Sequence, residues 1–563
     1  MRVRAAVISA GLVLVLACTS SSVAPAPSPS APSYQPDPAA HRGGTAIIGE
    51  WEAPATLTPF RATTAAELRL GRLLFSPLWG FYPNLQPYPD LVREIPTAAN
   101  GGVKVKGAGM TLDVKLRPGL RWSDGQPLTA DDVIFTVDAA RAGEIAMPAL
   151  TRIVSQERRS ATDVRWRFAA VDAGYLLIGS DFTVLPRHRL ASIPASEWRD
   201  LDYFRHPDVG SGPFKYEGEI SGQEIVFRAN PEYSQGRRDG PFGHPAYLDS
   251  IIERLYTGKA AEIAALSLGE ADLGLHLAPS DEAQLADLRG LDTLTGTTLD
   301  GEFLLVNHAA NAADGRSPPW TGDATALEAL ATAIDRASLS RVAFGDAAAP
   351  TAGLFPGPMA DWNRGLKAGL PDAGNAAKQL DGAGWQRGVD GIRAKGDRRL
   401  EFSLLIPCDD ATRRLEADEL IREWAAVGAR ATMQCRPAHD LFASDGVLAN
   451  GAFDAALIAN AWPPDPSAWA DFGAVGGGRN WGRCSSHGVD VQFAAGAATL
   501  DSRKRRAAYL AAAREWLAHH CTIPLLDRPQ VVQRAGRLHN IRLHPMPGYE
   551  TWNAADWWLS SAS

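Results

Sequence analysis

The spacing of hydrophobic and polar positions changes along the chain from strand-like to helix-like and back. Gly43-Gly44-Thr45-Ala-Ile-Ile-Gly-Glu-Trp51 predicts entry into a strand, and Leu68, Leu70, Leu73 and Leu74, between Pro59 and Leu78, form a helical stripe. A strand followed by a helix opens an α/β lobe. Met110 to Leu116 alternates apolar and polar residues as a half-exposed strand does. Next, Asp124-Gly125 reads as a tight turn and Pro127 stiffens its exit. Thr129 is placed to cap a helix that has Asp131 and Asp132 in its first turn, where acids suit the helix dipole. Those two acids therefore read as structural rather than catalytic, since consecutive side chains on a helix diverge. Further on, helical patterns at 324–343, 373–384, 410–427 and 502–519 alternate with apolar strands at 400–407, 429–435 and 453–459. This alternation predicts a second α/β lobe.

The N-terminus has a different character. Arg2 and Arg4 precede an apolar stretch from Ala5 to Ala17 with no acid, the layout of a secretory signal. The stretch is too short for a spanning helix, which takes about 20 residues. Val15-Leu16-Ala17-Cys18 resembles the bacterial lipobox, which implies a lipid anchor on Cys18 at the outer face of the cytoplasmic membrane. Thr19 to Pro38 is Ser, Pro and Ala with almost no charge, a composition that cannot bury enough apolar surface to offset ordering entropy. The expectation is a signal at 1–17 and a flexible tether at 18–42, in contact with the bilayer only through its acyl group. The formal charge of −8 argues against nucleic acid as a partner.

Besides Cys18 there are Cys408, Cys435, Cys484 and Cys521, an even number in an exported chain, which favours disulfides over a metal. A βαβ unit over 400–435 would bring Cys408 and Cys435 to neighbouring strand ends, leaving Cys484 with Cys521. His519-His520-Cys521 offers adjacent residues that point apart on a helix, so no metal and no cofactor is expected. The basic run Arg503-Lys-Arg-Arg506 reads as a solvated helix face.

Several blocks recur in a familiar order. They are the Gly43-Gly44-Thr45 strand, Trp122-Ser-Asp-Gly-Gln-Pro-Leu-Thr-Ala-Asp-Asp-Val-Ile-Phe135, Gly210-Ser-Gly-Pro-Phe-Lys215 and Arg228-Ala-Asn-Pro-Glu-Tyr233. Ala261 to Leu273, Ala329 to Leu339, Ala383-Gly-Trp385 and Phe453-Asp-Ala-Ala-Leu-Ile458 follow. From about residue 43 to 560 the chain resembles the family 5 solute-binding proteins of ABC importers, the dipeptide and oligopeptide-binding group. The resemblance implies an α/β, two-lobed periplasmic-binding-protein clamp, type II-like, with the extra subdomain of the peptide-binding group. Lobe I would comprise 43–85, 209–304 and 520–563, with the subdomain inserted at 86–208, and lobe II would run over 305–519. It also implies a monomer that closes on a small solute and presents it to permease subunits, and an extracytoplasmic location.

The solute would sit between the lobes, on loops at strand ends. The loop after 453–459 reads Asn460-Ala-Trp462-Pro-Pro-Asp465-Pro466-Ser-Ala-Trp469, then Gly476-Gly-Gly-Arg479-Asn480-Trp481. In the peptide-binding members the first position of Asp-x-x-Asp-Pro carries an aspartate for the peptide's α-amino group. Trp462 stands at that position here, while Asp465 keeps the second. An indole can face a cation or stack on a flat ring; alternatively, Trp462 packs against Pro463 and Pro464. Asn480, Trp481 and, from lobe I, Trp51 complete the candidate ligand-binding set, with Asp465 also able to act as a turn residue. No Gly-x-Ser-x-Gly, His-Glu-x-x-His or dinucleotide fingerprint occurs, so the chain reads as a binder and not an enzyme. Two functions remain open: capture of a peptide-like or other medium-sized polar solute for import, or a clamp-fold lipoprotein acting as a sensor or accessory factor in envelope assembly.

Overall fold

A computed structural model describes residues 34–560, apart from positions 146, 238, 278–280, 282–284, 286–289, 310–316, 368, 409, 468–477 and 485. Cys18, the signal, Trp469 and the first two glycines of the run 476–478 lie outside the described residues. Among the described residues no helix is long and apolar enough to cross a membrane.

One sheet runs through the whole molecule. Its order is Arg430–Arg436, Glu401–Pro407, Ala455–Ala461, Leu291–Val306, Thr522–Ala535, Leu273–Leu277, Thr45–Glu50, Ser250–Leu255, Glu224–Ala229 and Phe214–Ile220. The two middle strands, of 16 and 14 residues, are antiparallel partners shared by both halves. Around Leu273–Gly274, the end of Thr522–Ala535 joins the first half; from Asp300 to Val306, Leu291–Val306 pairs with Ala455–Ala461 in the second. Their mutual register shifts between Thr297 and Gly301 and again between Glu302 and Phe303. An irregularity of this kind bends and twists a strand pair. The lobes are thus joined by a two-stranded ribbon that is kinked at the crossing.

In the first lobe Thr45–Glu50 lies parallel to both Ser250–Leu255 and Leu273–Leu277. The adjacent helix Ala65–Leu74 starts at Thr64, which forms a reciprocal capping box with Glu67. The inserted region forms its own four-stranded antiparallel sheet from Val103–Lys106, Gly109–Lys115, Asp163–Phe168 and Ile153–Arg158. Helix Ala130–Arg141 belongs to this region, capped by Thr129 and Asp132. Its fully buried Trp122 and Trp166 belong to the same apolar cluster as Phe60 and Trp79, so this sheet and the first lobe share one core.

The second lobe has its own core, around Leu404, Ile406, Leu420 and Trp424. The single helix expected over 324–343 is two, Ala324–Ala333 and Arg336–Phe344. The break occurs because the Asp335 carboxylate accepts the backbone N–H groups of Ala337 and Ser338, which starts a new helix. Cys408 is bonded to Cys435 and Cys484 to Cys521, with Cα separations of 5.1 and 5.4 Å.

The tether expected over 18–42 is revised from Tyr34 onward. Tyr34 is buried: its ring meets Trp552 edge-on at 4.8 Å, and its hydroxyl donates to Asp556 and accepts from Asn553. Asp37 exchanges two 2.9 Å hydrogen bonds with Asn540. One aromatic residue with a polar tip supplies what the Ser/Pro/Ala stretch lacks.

Candidate functional site

A cavity of about 770 Å3 lies at the crossing of the lobes. Ala65, Lys259, Leu275, Leu277 and Asp281 line it from the first lobe, and Phe344, Asp410, Ala411 and Thr412 from the second. Its floor is the kinked ribbon, through Thr298, Asp300 and Arg528 to Val532, and segment 544–547 with Glu550 closes one side. Strand alternation explains which ribbon residues face it: Thr298 and Asp300 point into this space, while Leu299 and Gly301 face the other side of the sheet. The volume falls within the range of roughly 300–1,000 Å3 that suits small-molecule ligands.

Charged groups are arranged around this floor as a network. Arg528 reaches Glu302 and Asp410, each at 3.3 Å, and Arg413 reaches Glu302 at 3.0 Å. Burial would raise the Asp410 carboxyl, but Arg528, Arg413 and two backbone N–H donors outweigh it and hold the group below the usual carboxylate range. Asp300 shows the opposite outcome: burial lifts its carboxyl above that range, and the pull of Arg528 does not cancel the effect. Behind them, burial and the Glu302 charge push Glu416 well up. His544 is pushed down to about 3 by burial and is neutral.

A second, smaller cavity of about 60 Å3 lies on the opposite face of the ribbon. Here Trp462, Asn480 and Trp481 come together with Arg479, Phe303, Ile458 and Trp516 on its wall. Trp462 is only 6% exposed and meets Phe355 edge-on at 5.1 Å, and its backbone N–H donates to Leu299. Phe355 is thus one packing partner of the indole. Asn480 donates its side-chain amide to the Cys484 carbonyl at 2.8 Å. A space of this size admits a few waters or one small group, not a whole solute.

The other two sequence candidates sit apart from both cavities. Asp465 is bound by both terminal nitrogens of Arg505, at 2.6 and 2.9 Å, and Trp51 is 43% exposed at the end of its strand. Asp300, Asp410, Arg528, Lys259 and Glu550 were not singled out from the sequence. A legible signal existed for one of them: Thr298-Leu-Asp300-Gly-Glu302 alternates polar side chains inside a strand, immediately before the apolar run Phe303 to Val306. Among the described residues, the donor cluster closest to a metal site is His308 with Cys484 and Cys521. Both sulfurs are committed to their disulfide, and His308 bonds the His520 carbonyl at 3.1 Å.

Known proteins share this architecture. The chain is 25% identical over 415 residues to the oligopeptide-binding protein AppA of Bacillus subtilis, covering 72% of this chain and 71% of AppA. The structure of AppA with a nonapeptide superposes with a TM-score of 0.71 at 19% identity, over 94% of this chain and all of that one. The substrate-binding protein CtaP of Listeria monocytogenes gives 0.78 at 20% identity, over 92% of this chain and all of CtaP. NikA of Brucella suis, in complex with Fe(III)-EDTA, gives 0.75 at 18% identity, again over 92% of this chain and all of NikA. The sequence profile of the bacterial extracellular solute-binding proteins, family 5 (middle region), matches residues 86–481, and the chain belongs to that family.

Proposed function

We propose that this chain captures a peptide-like or other medium-sized polar solute between its two lobes and hands it to the permease of an ABC importer. The observation that carries this reading is the 770 Å3 polar cavity at the kinked ribbon, walled by both lobes, because a space so placed changes shape when the lobes move. A ligand that touches both walls favours the closed form by its differential affinity for it. AppA was solved with a nonapeptide and NikA with a metal chelate, so a clamp of this fold accommodates solutes of very different size. The chain acts as a monomeric binder and not a catalyst. Its lobes correspond to 43–85, 209–304 and 520–563 for the first and 305–519 for the second, with 86–208 as the inserted subdomain. Cys18 carries the lipid that holds the body outside the cytoplasmic membrane. Trp462, Asn480 and Trp481 contribute a subsite at the back of the ribbon, while Asp465 and Trp51 stand outside both cavities.

The experiment is native mass spectrometry of the exported chain, to identify a retained solute, followed by thermal denaturation with a library of peptides, sugars and polar metabolites. A true ligand at a hundred times its Kd should add about 2.7 kcal/mol of stability. Absence of both a retained solute and any stabilising library member would sink the proposal.

A further inference from the structure

The charges on the wall of the large cavity do not balance. Among the described residues it carries two cations, Lys259 and Arg528, and four carboxylates, Asp281, Asp300, Asp410 and Glu550. Lys259 is paired with Asp281, and Arg528 with Asp410. Arg528 is further drawn to Glu302, so it has little charge left to offer. The carboxylates of Asp300, on the ribbon, and Glu550, on the C-terminal segment, form no ion pair or hydrogen bond among the described residues. Glu550 Oε2 and Gln530 Oε1, closed off from solvent on the same wall, also have no hydrogen-bond partner. Among the described residues the wall therefore holds acceptors that no donor meets. The neutral His544 supplies no compensating charge.

We propose that the cleft selects solutes bearing a cationic nitrogen, an ammonium or a guanidinium group, held against the Asp300 carboxylate with Glu550 as a second counter-charge. This rests on the solute-capture reading above. A carboxylate in a partly dehydrated space gains most from a charged donor, because charge-assisted hydrogen bonds are short and strong and the closing lobes lower the local dielectric. A neutral solute would leave these acceptors unfilled, and an anionic one would add repulsion. The site thus favours an amine end over an acid end at the crossing strands. The free amino terminus of a peptide is one such group, and a basic side chain or a polyamine is another.

The test uses the exported chain and two probes: a pool of synthetic tri- to nonapeptides without lysine, arginine or histidine, and the same pool N-acetylated. The expected result is that the free-amine pool binds at least tenfold more tightly than the acetylated pool by calorimetry. Asp300→Asn should erase that ratio without lowering the melting temperature of the ligand-free protein, since the carboxylate holds no partner among the described residues. Glu550→Gln should reduce the ratio less and serves as the second variant if Asp300→Asn does not fold. Equal binding of the two pools by the parent protein would overturn the inference and leave solute capture standing, and so would equal stabilisation by calcium or magnesium alone. If neither pool binds, the solute retained from the source decides: a cationic nitrogen in it supports the inference, and a neutral or anionic solute overturns it. If no solute is retained and no library member binds, the capture reading itself fails and this one falls with it.

Discussion

Arg505 holds Asp465 in a two-pronged grip, Nη2 to Oδ1 at 2.6 Å and Nη1 to Oδ2 at 2.9 Å. This ties the loop after Ala455–Ala461 to the helix Ser502–Ala518, so the pair is internal to the second lobe. The matching geometry of guanidinium and carboxylate gives a directional bond that a lysine would not reproduce. It also explains why Arg505 is largely buried while Arg503 and Lys504 of the same run face water.

Asp465→Ala should cost about 2 to 3 kcal/mol of stability in urea unfolding, because it leaves the Arg505 charge largely buried without its partner. Asp465→Ala with Arg505→Met together should cost clearly less than Asp465→Ala alone. A variant of full stability that has lost ligand affinity would instead make Asp465 a ligand contact.

Replacing Trp462 separates packing from binding. Trp462→Ala empties a nearly closed site against Phe355 and should cost about 3 to 5 kcal/mol. Trp462→Phe keeps much of the apolar body and should keep the fold. If Trp462 contributes a subsite, Trp462→Phe weakens solute binding by about 1 kcal/mol in calorimetry. Unchanged affinity would make the residue a support for the ribbon alone.

Much of the architecture could be read from periodicity because local and global preferences agree. Capping at Thr129, the turn at Asp124-Gly125 and the alternation of helices and strands through 400–435 all survive folding, since each is decided within a few residues. What escaped reading was decided by distant partners. Asp335 splits one helical pattern into two, and Tyr34 finds Asp556 more than five hundred residues away. The cleft acids escaped for the same reason. Nothing in the local sequence of Asp300 says that Asp410 takes Arg528 and leaves Asp300 without an ion pair. Aromatic residues drew attention to the loop after 453–459, yet burial and neighbouring rings gather Trp462, Asn480 and Trp481 on the far face of the ribbon from the larger cavity.

The two disulfides should differ in their effect on function. Their ends are 27 and 37 residues apart, so in the chain-entropy description each contributes on the order of 3 to 4 kcal/mol. Cys408 and Cys435 join parallel neighbours at the edge of the sheet. Cys484 and Cys521 fix the segment carrying Asn480 and Trp481 beside the second crossing strand. Replacing either pair with serine should lower the urea midpoint, but only Cys484→Ser with Cys521→Ser should also weaken solute binding. Equal binding by both double variants would show that this loop does not reach the ligand.

Stability should fall as the pH rises from about 6.5 to about 8.5, above the range in which the depressed His544 acts in the opposite direction. Burial pushes the Glu262 carboxyl up to about 8, and Glu253 and Glu423 to about 7, again chiefly through burial. Each binds its proton more tightly folded than unfolded, so its stabilising effect is complete below the unfolded value near 4.5 and is lost as the pH climbs through the folded value. Melting temperatures across this range should therefore decline, and Glu262→Gln, which cannot ionise, should flatten the decline. A profile with the opposite slope would refute the assignment.

Contact between the inserted region and the second lobe gives a handle on closure itself. Ala173 donates its backbone N–H to the Ala497 carbonyl at 2.9 Å, and a Cβ placed on Gly174 would lie 2.1 Å from Ser467 Oγ and 3.0 Å from Ser467 Cβ. Neither contact can persist if the lobes swing apart about the kinked ribbon, so they mark the closed arrangement. The backbone at Gly174, with φ −87° and ψ 11°, is open to any L-residue, so alanine there strains nothing within its own segment. Its methyl collides only when the lobes are together. Gly174→Ala should therefore leave the ligand-free melting temperature nearly unchanged and weaken solute affinity several-fold, because a smaller share of molecules reaches the closed form. Small-angle scattering should show a larger radius of gyration for this variant than for the parent protein under saturating solute. A loss of stability without a loss of affinity would mean that the contact belongs to the fold at rest and that the clamp moves elsewhere.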